Sequence, residues 1–235
     1  MENKASLVLE KCNIVFEHND EEGLMEAYNT WAAKYDTDME VVNYSAPIQT
    51  VRIALKYLSC DESVKLLDVA CGTGFVGTLL RNKAFKGLLH GIDGSQEMLE
   101  LARQKKIYDE LFTQFLSPGK PIMASRGLKY DAILCAGGIT KNHLDPELLI
   151  DFLDVLTSGG IMVFALTKGK YNVEVEKVVD EVLKSLIISG RIEELEVYVN
   201  EDTFKAGEDA VPENFKKDDS SSTFPCCIYC YKKND

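Results

Sequence analysis

A chain of 235 residues, 46% hydrophobic and 27% charged, holds enough apolar material for one sizeable core and is short for two full domains. Its formal net charge of −12 repels a phosphate backbone and no run of Lys and Arg offsets it, so nucleic acid is not expected as a partner. No apolar run approaches the roughly 20 residues that span a bilayer, and Met1 to Lys4 is polar rather than leader-like; a cytoplasmic protein with no membrane partner is expected.

Two or three helical stretches open the chain. Met25 to Asp36 carries Tyr28, Trp31 and Tyr35 at three-and-four spacing, which puts the aromatics on one helical face, either packed in a core or closing over a site. Ser45 to Leu58 reads as a helix with Pro47 in its first turn, where a missing N–H costs little. Val64 to Val69 is a short apolar strand, followed by the glycine-rich turn Cys71 to Gly77 and a helix to about Asn82. Strands then fall at Gly87 to Asp93, Phe112 to Leu116, Tyr130 to Ala136 and Gly160 to Leu166, and helices at Ser95 to Lys106, Pro146 to Leu156 and Glu174 to Ser189. This alternation predicts a parallel sheet covered on both faces. Ile192 to Tyr198 and Thr223 to Tyr231 are strand-like with only the polar Asn200 to Ser222 between them, so an antiparallel pairing is expected there. Lys216 to Ser222 reads as a mobile loop. The organisation expected is a helical extension over residues 1–62 and a core over residues 63–235, together one domain.

Seven cysteines, an odd count scattered through apolar segments, suit reduced thiols better than a disulfide framework. Cys226, Cys227 and Cys230 cluster, yet they lie in an apolar and aromatic run that reads as a strand, and no second ligand pair stands at metal-site spacing. No metal is expected.

The chemistry concentrates in Leu66-Leu67-Asp68-Val69-Ala70-Cys71-Gly72-Thr73-Gly74-Phe75-Val76-Gly77. A buried strand ends in a turn whose glycines let a ligand approach the backbone, and a helix then starts with free N–H groups facing that point. Gly72, Gly74 and Gly77 also satisfy dinucleotide-binding spacing. Asp68, just before the glycines, opposes a pyrophosphate by charge but accepts hydrogen bonds, directly or through water, from an ammonium group. The strand Leu88 to Asp93 ends in an acid suited to both hydroxyls of a ribose, a position that fits NAD equally well. The 62 residues ahead of this unit include the aromatic helix, and such an extension can cover the site.

Leu66 to Gly77 resembles the first motif of class I S-adenosylmethionine-dependent methyltransferases, and Gly91-Ile92-Asp93-Gly94-Ser95-Gln96-Glu97-Met98-Leu99 resembles their second. Lys129 to Gly138 is similar to their fourth strand and the turn after it, and Leu156 to Gly160 to the turn before the fifth. Tyr28 to Asp36, Tyr44 to Pro47 and Cys135 to Thr140 resemble most the methyltransferase-like proteins of the Williams–Beuren syndrome region. The resemblance implies a Rossmann-like α/β fold with a seven-stranded, mostly parallel sheet and an antiparallel C-terminal strand. It implies S-adenosylmethionine as cofactor and an unidentified small-molecule acceptor as partner. By position, Asp68, Gly72 and Gly74 should surround the methionine part, Asp93 the ribose, and Gly94 and Met98 the adenine, with Ala70 also bordering the cofactor. Phe115 and Leu116 stand where many relatives carry an acid that meets the adenine amino group, so packing and backbone contacts should hold the base. Ala136, at the end of the fourth strand, should border the cofactor, with Tyr28, Trp31 and Tyr35 closing over it.

A base is needed only if the acceptor must lose a proton. His143 is the candidate, in the Ile139 to His143 loop at the carboxyl edge of the sheet, where ligands of open α/β folds bind; its other reading is a solvated loop histidine. Two other functions stay open at this point: a NAD-dependent oxidoreductase, and a non-catalytic S-adenosylmethionine-binding regulator.

Overall fold

The computed structural model describes residues 4–201, 203 and 225–235. The loop reading of Lys216 to Ser222, and most of the Asn200 to Ser222 stretch, lie outside the described residues.

Three helices come first: α1 (Lys4–Glu17), α2 (Glu21–Val41) and α3 (Ala46–Tyr57). α2 is longer at both ends than Met25 to Asp36. It starts early because Asp20 caps it, accepting the Gly23 N–H at 2.8 Å, with Glu21 and Glu22 in the first turn against the helix dipole. It runs on past Asp36 because Met39 is buried and holds the last turns down. α3 carries Pro47 in its first turn and buries Ala46, Val51, Ile53 and Ala54 against the sheet.

The remaining elements are β1 (Lys65–Val69), α4 (Phe75–Asn82), β2 (Leu88–Asp93), α5 (Gln96–Lys105), β3 (Glu110–Thr113), β4 (Tyr130–Ala136), α6 (Leu148–Val155), β5 (Leu156–Thr167), α7 (Val173–Ile188), β6 (Ile192–Asn200) and β7 (Cys226–Lys233). They build one seven-stranded sheet in the order β3-β2-β1-β4-β5-β7-β6. The pairs from β3 through β5 are parallel, and β7 inserts between β5 and β6, antiparallel to both. The order reverses between β1 and β4, which opens a crevice at the carboxyl ends of those strands.

Two strand boundaries differ from expectation for identifiable reasons. β3 ends at Thr113, so Phe115 and Leu116 lie beyond it: the Gln114 N–H donates to the Asp93 carbonyl at 2.8 Å, and the Gln114 side chain then ties Pro121 and Met123 into the following loop. β5 begins at Leu156, which pairs with Tyr130, and after an irregularity Ile161 pairs with Ala132; Gly159, at φ +73°, supplies the left-handed residue that this bulge needs.

The strands' inward faces feed two cores. One lies under α6 and α7 and includes Phe152, Phe164 and Tyr229; the other lies under α3 and α4 and includes Ile53, Leu80 and Ile228. Alternation along β7 sends Cys226 and Cys230 to one core and Cys227 to the other, so the three thiols do not converge. A third cluster, aromatic and smaller, joins α1 and α2 over the carboxyl edge. Among the described residues, no helix is long and apolar enough to cross a membrane.

Candidate functional site

The turn after β1 is held in an unusual backbone shape. Ala70 (φ +53°), Gly72 (φ +53°) and Gly74 (φ +93°) all take left-handed angles. The Cys71 N–H donates to the Ile92 carbonyl at 3.2 Å, locking the turn to β2. A Cβ on Gly72 would meet no protein atom within 4 Å, so the backbone there faces open space. Asp93 is fixed at the end of β2 by two amides: Gly72 N–H donates to one carboxylate oxygen and Ser95 N–H to the other, both at 2.8 Å. Burial pushes its pKa up, and these backbone donors pull it part of the way back. Each oxygen keeps further acceptor capacity.

Gly72 and Asp93 line one cavity at the carboxyl edge of the sheet, the place where ligands of open α/β folds bind. Of the residues singled out from the sequence, Tyr28, Tyr35, Ala70, Gly72, Asp93, Gly94, Met98, Phe115, Leu116, Ala136 and His143 line it. Trp31 does not; it borders an adjoining chamber that shares Tyr28 and Tyr35 with the first cavity. Gly74 also stands back from the cavity, serving as the N-cap of α4.

Asp68 lies beneath the turn, 1% exposed. The Tyr108 hydroxyl donates to one of its oxygens at 2.5 Å, and the other oxygen is buried with no hydrogen-bond partner. Burial pushes this carboxyl up to about 7, against the pull of the Tyr108 hydroxyl. A Cβ on Gly77 would come within 2.6 Å of the Tyr108 ring, so the glycine is what lets this phenol reach Asp68.

α2 is tied over the site at several points. Asn29 accepts from the Ser95 hydroxyl at 2.7 Å, and Asp36 accepts from the Thr73 hydroxyl and pairs with Lys105 at 2.7 Å. The Trp31 indole N–H donates to Asp38 at 2.7 Å, and Lys11 of α1 joins the same carboxylate at 2.6 Å. On the cavity wall, Tyr28 Oη stands 2.8 Å from His143 Nε2, and His143 Nδ1 stands 2.8 Å from the Lys141 carbonyl. A carbonyl only accepts, so Nδ1 carries the imidazole proton and Nε2 accepts from Tyr28. Burial lowers the His143 pKa to about 4 and raises that of Tyr28.

Sequence reasoning missed Leu24, Met25, Tyr44, Gln114, Gly137, Gly138 and Leu144 on the cavity, and Tyr108 beneath it. Leu24 and Met25 sit four and three residues before Tyr28, a helical spacing that already placed them on its face. Gly137, at φ +92°, is needed because a Cβ there would fall 2.3 Å from the Tyr44 hydroxyl. Gln114, Leu144 and Tyr108 carry no such local signal.

Among the described residues, no Lys or Arg lines the cavity. A pyrophosphate would find no cation there, whereas the open backbone at Gly72, the Asp93 carboxylate and the apolar Met98, Phe115 and Leu116 fit a nucleoside with a free ribose and no phosphate. Residues 66–160 match the family model described as a methyltransferase domain. The chain is 32% identical over 181 residues to human methyltransferase-like protein 27, covering 77% of this chain and 72% of that one. It is 28% identical over 153 residues to the ubiquinone/menaquinone biosynthesis C-methyltransferase UbiE of Campylobacter jejuni, covering 61% of this chain and 63% of that enzyme. Among solved structures, the N-methyltransferase NodS of Bradyrhizobium japonicum in complex with S-adenosyl-L-homocysteine shares the fold, with a TM-score of 0.52 at 15% identity, over 80% of this chain and 86% of that one. The chain belongs to the class I S-adenosylmethionine-dependent methyltransferases, enzymes that use S-adenosylmethionine as cofactor.

Proposed function

We propose that this methyltransferase acts on a small-molecule acceptor in the cytoplasm, with the cation-free cavity ending on Asp93 as its cofactor site. The absence of Lys and Arg from that wall, among the described residues, is the observation that carries the reading. Seven unpaired cysteines support a reducing compartment. The Campylobacter relative's name includes a quinone pathway, which supports a small organic acceptor for this chain.

In this reading Asp93 accepts from the ribose hydroxyls while Gly94, Met98, Phe115 and Leu116 enclose the adenine. The methionine end lies along Ala70, Gly72 and Ala136, with Gly74 shaping the turn. Asp68 acts from below, its unpartnered oxygen available to the ammonium group through a water. Tyr28 and Tyr35 close the cavity from α2, and Trp31 braces them from the next chamber; residues 1–62 thus serve as a cover for the core at 63–235. When bound, the cofactor supplies an electrophilic methyl group on a sulfonium, and the protein's work is to align the acceptor and exclude water.

The test is Asp93→Ala, followed by calorimetric titration with S-adenosylhomocysteine. Losing charge-assisted hydrogen bonds should weaken binding by about 1.5–3 kcal/mol. Unchanged affinity in a folded variant removes Asp93 from the site.

A further inference from the structure

The chamber beside the cofactor cavity has a composition of its own. It shares Tyr28, Tyr35, Tyr44 and Gly137 with that cavity, so the two adjoin at these residues. It shares Phe16 and Tyr171 with an outer cavity whose rim carries Lys141, Lys170 and Glu17. Together the three form a series from a polar rim to the cofactor.

Among the described residues, no charged side chain lines the middle chamber. The nearby acids of α2 are engaged elsewhere, Asp36 with Thr73 and Lys105, and Asp38 with Trp31 and Lys11. Its rings form flat surfaces: Tyr28 and Trp31 lie within 18° of parallel at 6.3 Å, and Phe16 and Tyr171 within 10° at 5.4 Å. A lining of aromatic rings packs a planar ring against its edges and outer faces, and a chamber without charged side chains leaves a carboxylate or an ammonium unpaired.

Resting on the methyltransferase reading above, we infer that this chamber is the acceptor site and takes an uncharged planar aromatic ring bearing a hydroxyl, whose proton leaves through Tyr28 to His143. The acceptor oxygen bonds to the methyl carbon as the carbon–sulfur bond breaks, its electron pair going to sulfur. The hydroxyl proton passes to Tyr28 Oη while the Tyr28 proton passes to His143 Nε2. The imidazolium so formed keeps its Nδ1–H on the Lys141 carbonyl and then releases the proton to water, since His143 is partly exposed. Tyr28 is the catalytic residue, because it touches the acceptor. His143 acts through it as a positioning residue, kept neutral by burial so that Nε2 is free to accept.

The experiment uses the full chain. Calorimetry first measures S-adenosylhomocysteine binding; silence there sinks the cofactor reading itself. With that site saturated, 2-naphthol, its methyl ether and cyclohexylammonium are titrated in turn. The inference expects both naphthyl probes to bind and the ammonium not to; preference for the ammonium, or no naphthyl binding, overturns it while leaving the cofactor site intact. Mass spectrometry with S-adenosylmethionine then follows 2-naphthol methylation, and binding without turnover also overturns it. Tyr28→Phe keeps the ring, so methyl-ether binding should stay within about twofold, while kcat falls about 100-fold or more, the usual scale for a lost proton-transfer group. His143→Gln keeps an acceptor for Tyr28 but not a base, and should lower kcat at unchanged KM. Wild-type kcat in Tyr28→Phe removes the relay, and parallel loss of KM and S-adenosylhomocysteine affinity in His143→Gln reduces that residue to packing.

Discussion

Asp68, which is buried, and His143, which is half-buried, are titratable groups whose protons report on folding in opposite directions. Asp68 has a folded pKa of about 7 against an ordinary value of 3.8, so between those pH values the folded chain holds a proton that the unfolded chain has released. Stability from this residue is therefore present in acid and lost as pH rises through 7, by up to about 4 kcal/mol for three pKa units. His143 has a folded pKa of about 4 against 6.5, so the unfolded chain takes up the extra proton first and stability is lost as pH falls from 6.5 toward 4. The two slopes oppose each other across the same window. In urea melts, Asp68→Asn should therefore gain on the wild type between pH 5 and pH 8, by about 1–3 kcal/mol at the upper end, while binding S-adenosylhomocysteine less tightly. A gain that does not grow with pH would show that Asp68 is ionised in the folded chain. A buried carboxyl with an unpartnered oxygen, kept at a cost in stability, supports the proposed role of Asp68 in holding the cofactor's ammonium group through a water.

At the scale of elements, α2 is the proposed cover of the site. It reaches the glycine turn through Asp36 and Thr73, α5 through Asn29 and Ser95, and the loop after β4 through Tyr28 and His143. These are polar contacts at the rim of a helix whose own core with α1 is small. Asp36→Ala removes an acceptor from Thr73, a buried hydroxyl, and an ion partner from Lys105. The expected cost is about 1–2 kcal/mol, mostly from the hydroxyl, since partly exposed ion pairs contribute little. Hydrogen exchange should show that loss as faster opening of α2 with the sheet unchanged, and uniform acceleration across β1, β4 and β5 would mean that α2 is not a separate cover.

Across the whole molecule, what could be read from the sequence was what local rules govern. The glycine turn, Asp93 and the alternation of strands and helices all depend on residues close together in the chain, and the structure places them as expected. The spacing of Tyr28, Trp31 and Tyr35 gave their common face but not the division of that face between two cavities, because the Trp31 indole is bonded to Asp38, seven positions on, and that carboxylate is held in turn by Lys11 of α1. Tyr108 was out of reach for the same reason: its link to Asp68 crosses 40 residues and exists only once β1 and β2 pair. The insertion of β7 between β5 and β6 likewise follows from long-range packing and not from either strand's composition. The most direct test of the account is parallel calorimetric titration of the purified chain with S-adenosylhomocysteine and with NAD. A cavity with an acid and, among the described residues, no cation predicts binding of the first and silence from the second; saturable NAD binding with none of S-adenosylhomocysteine would contradict it.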